Sequence, residues 1–334
     1  MGVQIQEMAY AFDCPTDTAL FHTIFIHYDI FNYSNNDYHD VYIGVFTDFD
    51  IGYAYDDYIG CDSAKSFYYG YNGSAYDGTP GGQSGQYGAH PPAQAVVFLS
   101  DTMATFIAMS NTGNQTPLGP SIDSDYYYYM KGYIDSATHL TYGGNGMSGT
   151  VPTNYMYPGD PNDTTSWTDY HPYPDSTNTP YDRRGMGSIG PFNLAAGAKK
   201  SFDIAYVYAR DTTKNNFENV TVLKQAVDKI RLYYANDSIP CGGSFSAIKP
   251  KSQACQPLKI YPVPSQNQIF IEYQPITKNC RYEIYDITGK QVQNGRLNQD
   301  KLHRLNLSDL KPAVYFIRLV DGSSVYSGKI VIGR

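Results

Sequence analysis

The largest group of chemically reactive side chains is the segment of residues 48–62, which reads DFDIGYAYDDYIGCD. Ca²⁺ prefers six to eight hard oxygen ligands, from carboxylates and backbone carbonyls on a tightly turning loop. The spacing Asp-x-Asp-x-Gly fits the start of such a loop, although the terminal Glu of a 12-residue EF-hand loop is missing. We predict a Ca²⁺ site here; the competing interpretation is an Asp-capped turn between strands. The predicted ligands are Asp48, Asp50, Asp56, Asp57 and Asp62.

Motifs of the common hydrolases are missing from the sequence. His22 and His27 are five residues apart without a Glu between them, so there is no HExxH zinc motif. No GxSxG nucleophile motif occurs, although Ser84, Ser148 and Ser188 each have a glycine neighbour. A glycosidase needs two carboxylates across a cleft, and nothing singles out such a pair among the many aspartates. We therefore predict no catalytic residues and no enzymatic activity in this chain.

Two further clusters have both a structural and a binding interpretation. Arg183 and Arg184 follow Asp182, and an arginine can hold a carboxylate through two parallel hydrogen bonds. This would tie a loop internally or bind an acidic ligand, and the internal tie is favoured. The four consecutive tyrosines, residues 126–129, would stack on sugars or pack the loops around them. Packing is favoured, and glycan binding is kept as an alternative.

Hydrophobic periodicity predicts how these clusters are positioned. Alternating apolar residues predict strands over 18–31, 41–47, 94–99, 104–109 and 201–209, with the third and fourth paired to each other. Between 110 and 190, where Gly, Pro, Asn, Asp and Tyr are abundant, we expect short strands and ordered loops.

One amphipathic helix is predicted over about 216–235. Its apolar residues recur at spacings of three and four, which forms a single stripe that we expect to pack on a sheet. The stripe consists of Val220, Leu223, Val227, Ile230 and Tyr234.

Composition narrows the class of protein. The chain has 334 residues, of which 42% are hydrophobic, so two domains with real cores are expected, with three as the alternative. It lacks an apolar run of about 18 residues, so no transmembrane segment is predicted. The net charge of −8 argues against nucleic acid as a partner. With 28 Asp, only 4 Glu and 34 Tyr, the chain favours a loop-rich β protein of extracellular type.

Charge is distributed unevenly. Residues 1–254 carry 13 Lys and Arg against 26 Asp and Glu, whereas residues 255–334 carry 11 against 6. Such an asymmetry indicates two modules with separate roles. We predict an acidic module at 1–240, a linker at 241–256 and a basic C-terminal domain at 257–334.

The cysteines lack a CxxC pair, which excludes zinc-finger and thioredoxin motifs. If the chain is exported, we expect disulfides Cys14–Cys61 and Cys241–Cys255, with Cys280 free; five buried thiols are an equal alternative. The N-terminus, MGVQIQEMAYAF, lacks the pattern of a secretion signal. We expect that a signal was removed or that the chain is part of a longer protein.

About seven short strands are predicted in the last eighty residues, which fits a small Ig-like sandwich. This segment resembles the C-terminal sorting domain of the type IX secretion system of Bacteroidetes-type bacteria. The resemblance rests on a YPxP opening, a YDxxGxxV hairpin and a final Lys-containing strand, in this order. The matching residues are Tyr261, Pro262, Pro264, Tyr285, Asp286, Gly289, Val292, Tyr315 and Lys329.

The resemblance implies a sorting signal rather than catalysis. Its implied partners are an outer-membrane export machinery and a sortase-like peptidase that removes the domain. The cargo would then be joined to anionic lipopolysaccharide or released. The acidic loop, together with Trp167 and the segments at 71–73, 87–93, 182–185 and 190–192, also resembles a region of large surface proteins with the same sorting domain, for which we know of no activity.

The sequence thus predicts a mainly β protein: a β-sandwich-like N-terminal module with one amphipathic helix, followed by a small C-terminal Ig-like β-sandwich. We expect an exported cell-surface or secreted protein with a structural or adhesive, Ca²⁺-stabilised N-terminal module. The alternatives are an accessory, non-catalytic part of a larger secreted protease or glycosidase, and a glycan-binding module.

Overall fold

A computed structural model describes residues 2–79, 85–110, 117–172, 178–246, 256–322 and 324–333. The chain divides into unit 1, residues 1–248, and unit 2, residues 249–334. Unit 1 contains two hydrophobic cores and unit 2 contains one. As predicted, the chain is mainly β. No helix in the described ranges is long and apolar enough to cross a membrane.

Unit 1 combines antiparallel strands with one long and two short helices. Its strands are β1 Val3–Tyr10, β2 Thr23–Asn32, β3 Tyr38–Asp48, β4 Asp57–Asp62, β5 Phe67–Asn72, β6 Tyr76–Asp77, β7 Gly88–Ala89, β8 Ala93–Phe98, β9 Thr105–Ser110, β10 Arg183–Leu194 and β11 Lys199–Ala209. Its helices are α1 Thr18–Phe21, α2 Asp123–Met130 and α3 Asn216–Ala235.

The strands of unit 1 form a sandwich with a helix on one outer face. A six-stranded sheet has the order β1-β2-β11-β8-β5-β4, and a three-stranded sheet has the order β3-β10-β9. One core lies between the two sheets, and the other lies between the large sheet and α3. Because side chains alternate along a strand, neighbours such as Phe25 and Ile26 pack into different cores.

Helix α3 confirms the predicted helix. It begins after Asn215, whose side chain accepts a hydrogen bond from the Glu218 N–H, while the Glu218 carboxylate accepts one from the Asn215 N–H, each at 2.9 Å. This capping box satisfies two backbone donors at the helix start. The predicted apolar stripe is buried against the large sheet, except for the partly buried Tyr234.

Three details of the predicted elements are wrong. The strand predicted over 18–31 begins only at Thr23, because Asp17 accepts hydrogen bonds from two backbone N–H groups and starts α1. Strands β8 and β9 do not pair with each other, since the chain crosses between the sheets there. Helix α2 forms where only strands and loops were expected.

The predicted disulfides are also wrong. The structure pairs Cys14 with Cys241, whose Cα atoms are 5.7 Å apart. Cys61 is a free thiol, fully buried in β4. Cys280 is free, as predicted, and Cys255 lies outside the described residues. The disulfide and the buried Phe245 also show that the predicted linker begins too early.

Unit 2 is a small β-sandwich, as predicted. Its described strands are β12 Gln256–Pro257, β13 Lys259–Tyr261, β14 Gln268–Glu272, β15 Arg281–Asp286, β16 Gln291–Arg296, β17 Leu302–Asn306, β18 Ala313–Asp321 and β19 Ser324–Ile332. A five-stranded sheet, β12-β19-β18-β15-β16, and a three-stranded sheet, β13-β14-β17, enclose one apolar core.

Candidate functional site

The five predicted calcium ligands do not form one shell. The acidic loop runs from the end of β3 to the start of β4. Asp62 lies at the far end of β4, and its side chain caps the following turn by accepting a hydrogen bond from the Lys65 N–H at 3.1 Å. With a rise of about 3.3 Å per residue, it is roughly 16 Å from Asp57 along the strand. Asp62 is therefore excluded from the candidate site.

The first of two carboxylate groups, the outer group, contains Asp48, Asp50 and Asp182, and one oxygen from each lies within 4.8 Å of the others. Arg184 bridges two of them, with Nε 2.7 Å from Asp48 and Nη2 3.2 Å from Asp182. Burial, followed by the charges of Asp48 and Asp182, raises the pKa of Asp50. The group thus has one positive charge against three carboxylates.

The second, the inner group, contains Asp56, Asp57 and Asp77 and lies where the acidic loop meets the end of β5. Asn72 donates from Nδ2 to Asp56 at 2.7 Å, and the Gly78 N–H donates to the same carboxylate at 2.9 Å. Asp77 is fully buried and accepts a hydrogen bond from the Tyr53 N–H at 2.8 Å. These bonds fix Asp56 and Asp77, whose charges act on the third carboxylate, Asp57.

Asp57 is the least satisfied member of the inner group. Its Oδ2 accepts a hydrogen bond from the Ile51 N–H at 2.9 Å, but its buried Oδ1 has no hydrogen-bond partner in the structure. Burial, followed by the charges of Asp56, Asp77 and Asp50, raises its pKa well above the usual value. A buried carboxylate oxygen without a hydrogen-bond partner, surrounded by other carboxylates, is unfavourable when ionised. Either a bound cation or a proton would stabilise it.

Gly52 allows the loop to approach Asp77. Its φ of +71° lies in the left-handed region, and a Cβ at this position would come within 1.9 Å of the Asp77 carboxylate. Only glycine meets both conditions. The glycine of the Asp-x-Asp-x-Gly pattern therefore lets the loop backbone pack against the Asp77 carboxylate of the inner group.

Arg183 forms a separate, buried ion pair. Its Nε lies 2.8 Å from Asp169 Oδ2, and the two side chains are 2% and 0% exposed. The same carboxylate accepts hydrogen bonds from Asn178 Nδ2 at 2.7 Å and from the Ile59 N–H at 3.2 Å. The Asp182–Arg184 segment is thus used for internal ties, which was the favoured interpretation.

The side chains considered for catalysis also make internal contacts. His27 Nδ1 lies 2.7 Å from an oxygen of the buried Asp203, and its Nε2 lies 3.3 Å from Asp29. Ser188 is buried and hydrogen-bonds to Thr105 at 2.7 Å. Ser84 lies outside the described residues. None of the described groups forms a nucleophile–base pair at a cleft.

The tyrosine run is divided between the core and the surface. Tyr129 is buried and donates to the Leu118 carbonyl at 2.6 Å. Tyr126 is exposed, and the Tyr127 hydroxyl donates to Asp40 at 2.7 Å. Two of the four rings therefore remain accessible to a ligand.

The predicted sorting-motif residues have different structural roles. Asp286 accepts hydrogen bonds from the Thr288 and Lys290 N–H groups, and with Gly289 at φ +82° it forms the hairpin turn. Tyr315 is buried and donates to the Lys311 carbonyl at 2.9 Å. Apart from Tyr315, all the motif residues are exposed at the surface or only partly buried: Tyr261, Pro262, Pro264, Tyr285, Asp286, Gly289, Val292 and Lys329.

The fold of unit 2 is a small β-sandwich with its own core. Residues 259–333 match the family model of the secretion system C-terminal sorting domain. The C-terminal unit is therefore a type IX sorting domain, as the sequence motifs predicted. No curated protein matches the chain.

Similarity to solved structures is weak. A polysaccharide lyase aligns over 99% of this chain at 8% identity and a TM-score of 0.29, and the chain spans only 34% of that enzyme. The BSP domain of a biofilm-associated protein aligns over 98% of this chain and 81% of its own length at 7% identity, with a TM-score of 0.20. The CBM51-2 and INT domains of Clostridium perfringens ZmpB align over 99% and 92% at 8% identity, with a TM-score of 0.19. At these scores, none of them assigns a fold or an activity to unit 1.

Sequence reasoning missed two of the acidic residues brought to the loop. Asp77 comes from β6, 15 residues beyond the predicted segment, and Asp182 precedes β10. Asp182 was noted for its neighbouring arginines, but nothing in the sequence linked it to Asp48. The pairing of β3 with β10, which places Arg184 opposite Asp48, is the long-range contact that joins them.

Proposed function

We propose that the chain is a cell-surface or secreted protein in which unit 2 is the address read by the type IX export machinery and unit 1 is the cargo. The match of residues 259–333 to the sorting-domain family carries this proposal. The separate core of unit 2 supports it, because an address that folds by itself can be read without unfolding the cargo. After export, a sortase-like peptidase removes unit 2, and unit 1 is joined to anionic lipopolysaccharide or released.

Deletion of residues 256–334 in the native bacterium tests this proposal. We expect unit 1 to stay inside the cell envelope, while the full chain reaches the surface or the medium. Attachment of residues 247–334 to an unrelated periplasmic protein should direct that protein outward. Normal export of the deleted chain would contradict the proposal.

For unit 1 we propose a structural or adhesive role without catalysis. This is supported by the use of His27 and Ser188 in internal hydrogen bonds and of Arg183 in a buried ion pair. A second candidate is glycan binding, which the exposed rings of Tyr126 and Tyr127 favour. A glycan array with the full chain and with Tyr126→Ala/Tyr127→Ala decides between them: a glycan signal lost in the variant favours the second candidate.

We propose that Ca²⁺ stabilises the acidic loop. The support is the buried Asp57 oxygen without a partner, among the charges of Asp50, Asp56 and Asp77. Ca²⁺ would supply the missing positive charge and take oxygen ligands from this group. The proposed ligands are therefore the inner group, Asp56, Asp57 and Asp77, and not the whole set predicted from the sequence.

Calorimetric titration and thermal unfolding with Ca²⁺ test this site. At a concentration about 100 times Kd, a ligand that binds only the folded state stabilises it by about 2.7 kcal/mol. Asp57→Asn should lose the calcium-dependent gain, whereas Asp62→Asn should keep it. The absence of both heat and a thermal shift in the unsubstituted chain would contradict calcium binding.

A further inference from the structure

The outer face of the five-stranded sheet in unit 2 combines uncompensated positive charge with exposed apolar side chains. Its core-facing residues alternate with outward residues along β15, β18 and β19, as the pleat of a sheet requires. We call these outward residues, together with the neighbouring Arg296, the basic face. Besides Arg296, its charged and aromatic members are Arg281, Glu283, Tyr285, Phe316, Arg318 and Lys329, and the others are valines and Ser327.

The charges on the basic face are unbalanced. Arg281, Arg296, Arg318 and Lys329 are all exposed, and Glu283 is the only carboxylate among the residues of this face. Glu283 lies 3.4 Å from Arg281 and 3.7 Å from Arg318. One anion thus lies near two of the four cations, and a net positive charge is left on the face.

The placement of two arginines lowers the stability of the five-stranded sheet when no partner is bound. Arg281 and Arg296 occupy directly opposite positions on the paired strands β15 and β16. Like charges in this arrangement destabilise an antiparallel pair. Binding of an acidic partner over this pair would therefore stabilise the sheet.

The apolar residues on the face indicate what kind of partner fits. Phe316 is 48% exposed and lies beside Tyr285 on one neighbouring strand and Lys329 on the other. Partly buried valines extend this strip. Arginine and aromatic residues are enriched in protein interfaces, whereas a simple polyanion needs cations alone. The composition therefore favours a protein surface with carboxylates and apolar side chains.

We propose that the basic face is the surface by which unit 2 docks onto an acidic protein surface of the export machinery. The inference rests on the proposed export function and adds the surface that is read. On the other sheet the exposed cations are fewer, since Lys259 is paired with Glu272 at 2.6 Å and, within the described strands, only Arg304 is not paired with a carboxylate. Two of the motif residues, Tyr285 and Lys329, lie on the basic face, which gives them a binding role rather than a folding role.

Charge reversal in the full chain tests the proposal in the native bacterium. Arg281→Glu/Arg318→Glu should reduce the exported amount by about tenfold or more, because charge repulsion would replace attraction. Arg304→Glu/Lys311→Glu, which changes the net charge equally on exposed residues outside the face, should be exported normally. Arg281→Lys/Arg318→Lys, which keeps the charge, should retain most of the export. Thermal unfolding temperatures equal to that of the unsubstituted chain show that the variants fold.

A binding measurement separates a protein partner from anionic lipid. The purified full chain is added to outer-membrane vesicles from export-competent cells and from cells lacking the type IX apparatus. We expect binding that needs the apparatus, weakens with salt and is lost in the Arg281→Glu/Arg318→Glu chain. Equal binding to both vesicle types would assign the face to lipid anions and overturn the proposal.

The export assay also separates failure of this inference from failure of the proposed function. If deletion of residues 256–334 blocks export but the charge reversal leaves it unchanged, unit 2 is the address and the basic face is not its reading surface. If the control variant loses as much export as the face variant, the effect is one of total charge, and the proposal is again wrong.

Discussion

At the scale of single residues, the aspartates of unit 1 differ in their surroundings rather than in their chemistry. Asp62 caps a turn, Asp169 is paired with Arg183, and Asp57 is buried with one oxygen unpartnered. Burial raises the free energy of an ionised carboxylate unless a cation or several donors compensate. The partners that decide among these outcomes come from distant parts of the chain, so the sequence could predict a group of carboxylates but not which of them would be left uncompensated.

The buried ion pair provides a test of unit 1 stability. Arg183→Leu leaves the Asp169 charge buried without its cation, and we expect a loss of about 3–5 kcal/mol in the free energy of unfolding. Denaturant unfolding followed by the fluorescence of Trp167, the only tryptophan in the chain, measures it. Lys65→Ala, which breaks the exposed pair with Asp228, should cost less than about 1 kcal/mol. Similar losses in both variants would contradict the role given to the buried pair.

The inner group predicts how calcium binding depends on pH. Burial first, and then the charge of Asp77, raise the pKa of Asp56 to about 6, against a hydrogen bond from the Gly78 N–H that lowers it. Because the folded-state pKa is above the usual value, ionisation of Asp56 between about pH 4 and 6 destabilises the calcium-free fold. Ca²⁺ must displace this proton, so its affinity should increase as pH rises through about 6.

Titrations at pH 5 and pH 7 measure this dependence. Asp56→Asn should weaken binding and flatten the change between the two values. An affinity that is the same at both pH values in the unsubstituted chain would show that Asp56 does not take part.

At the scale of elements, local patterns were predictable and long-range pairings were not. The stripe and start of α3 depend on residues within a few positions of one another, so the sequence predicted this helix with its bounds. The assignment of β8 and β9 to different sheets depends on which distant strands they meet. The same holds for the Cys14–Cys241 disulfide, whose residues are 227 positions apart. Unit 2 was predicted more completely because its motifs identified a known sorting domain.

The start of α3 can be weakened without touching a core. Asn215→Ala removes the side-chain acceptor for the Glu218 N–H, and we expect a loss of about 1 kcal/mol in the stability of unit 1. Asn236→Ala, at the exposed opposite end of the helix, should change the stability by no more than about 0.5 kcal/mol. Thermal unfolding of both variants compares the two ends, and an equal effect would argue against the capping role of Asn215.

At the scale of the whole molecule, the two units differ in charge, in core and in covalent constraint. Unit 1 carries most of the acidic residues and the disulfide, whereas unit 2 is basic and, within its described residues, has Cys280 as a free, buried cysteine. A separate core in each unit is a condition for separate unfolding. Under the proposed function, unit 2 must unfold independently of unit 1, because an address has to work on different cargoes.

The disulfide makes this independence measurable. Cys14–Cys241 closes a loop of nearly the whole of unit 1, and a cross-link of this length stabilises the folded state by up to about 5 kcal/mol in the chain-entropy model. Calorimetry of the full chain should show two transitions, of which reductant lowers only one. Cys14→Ala/Cys241→Ala should reproduce the lowered transition without reductant, and the transition of unit 2 should stay in place because Cys280 forms no cross-link. A single transition, or an equal shift of both, would show that address and cargo unfold together.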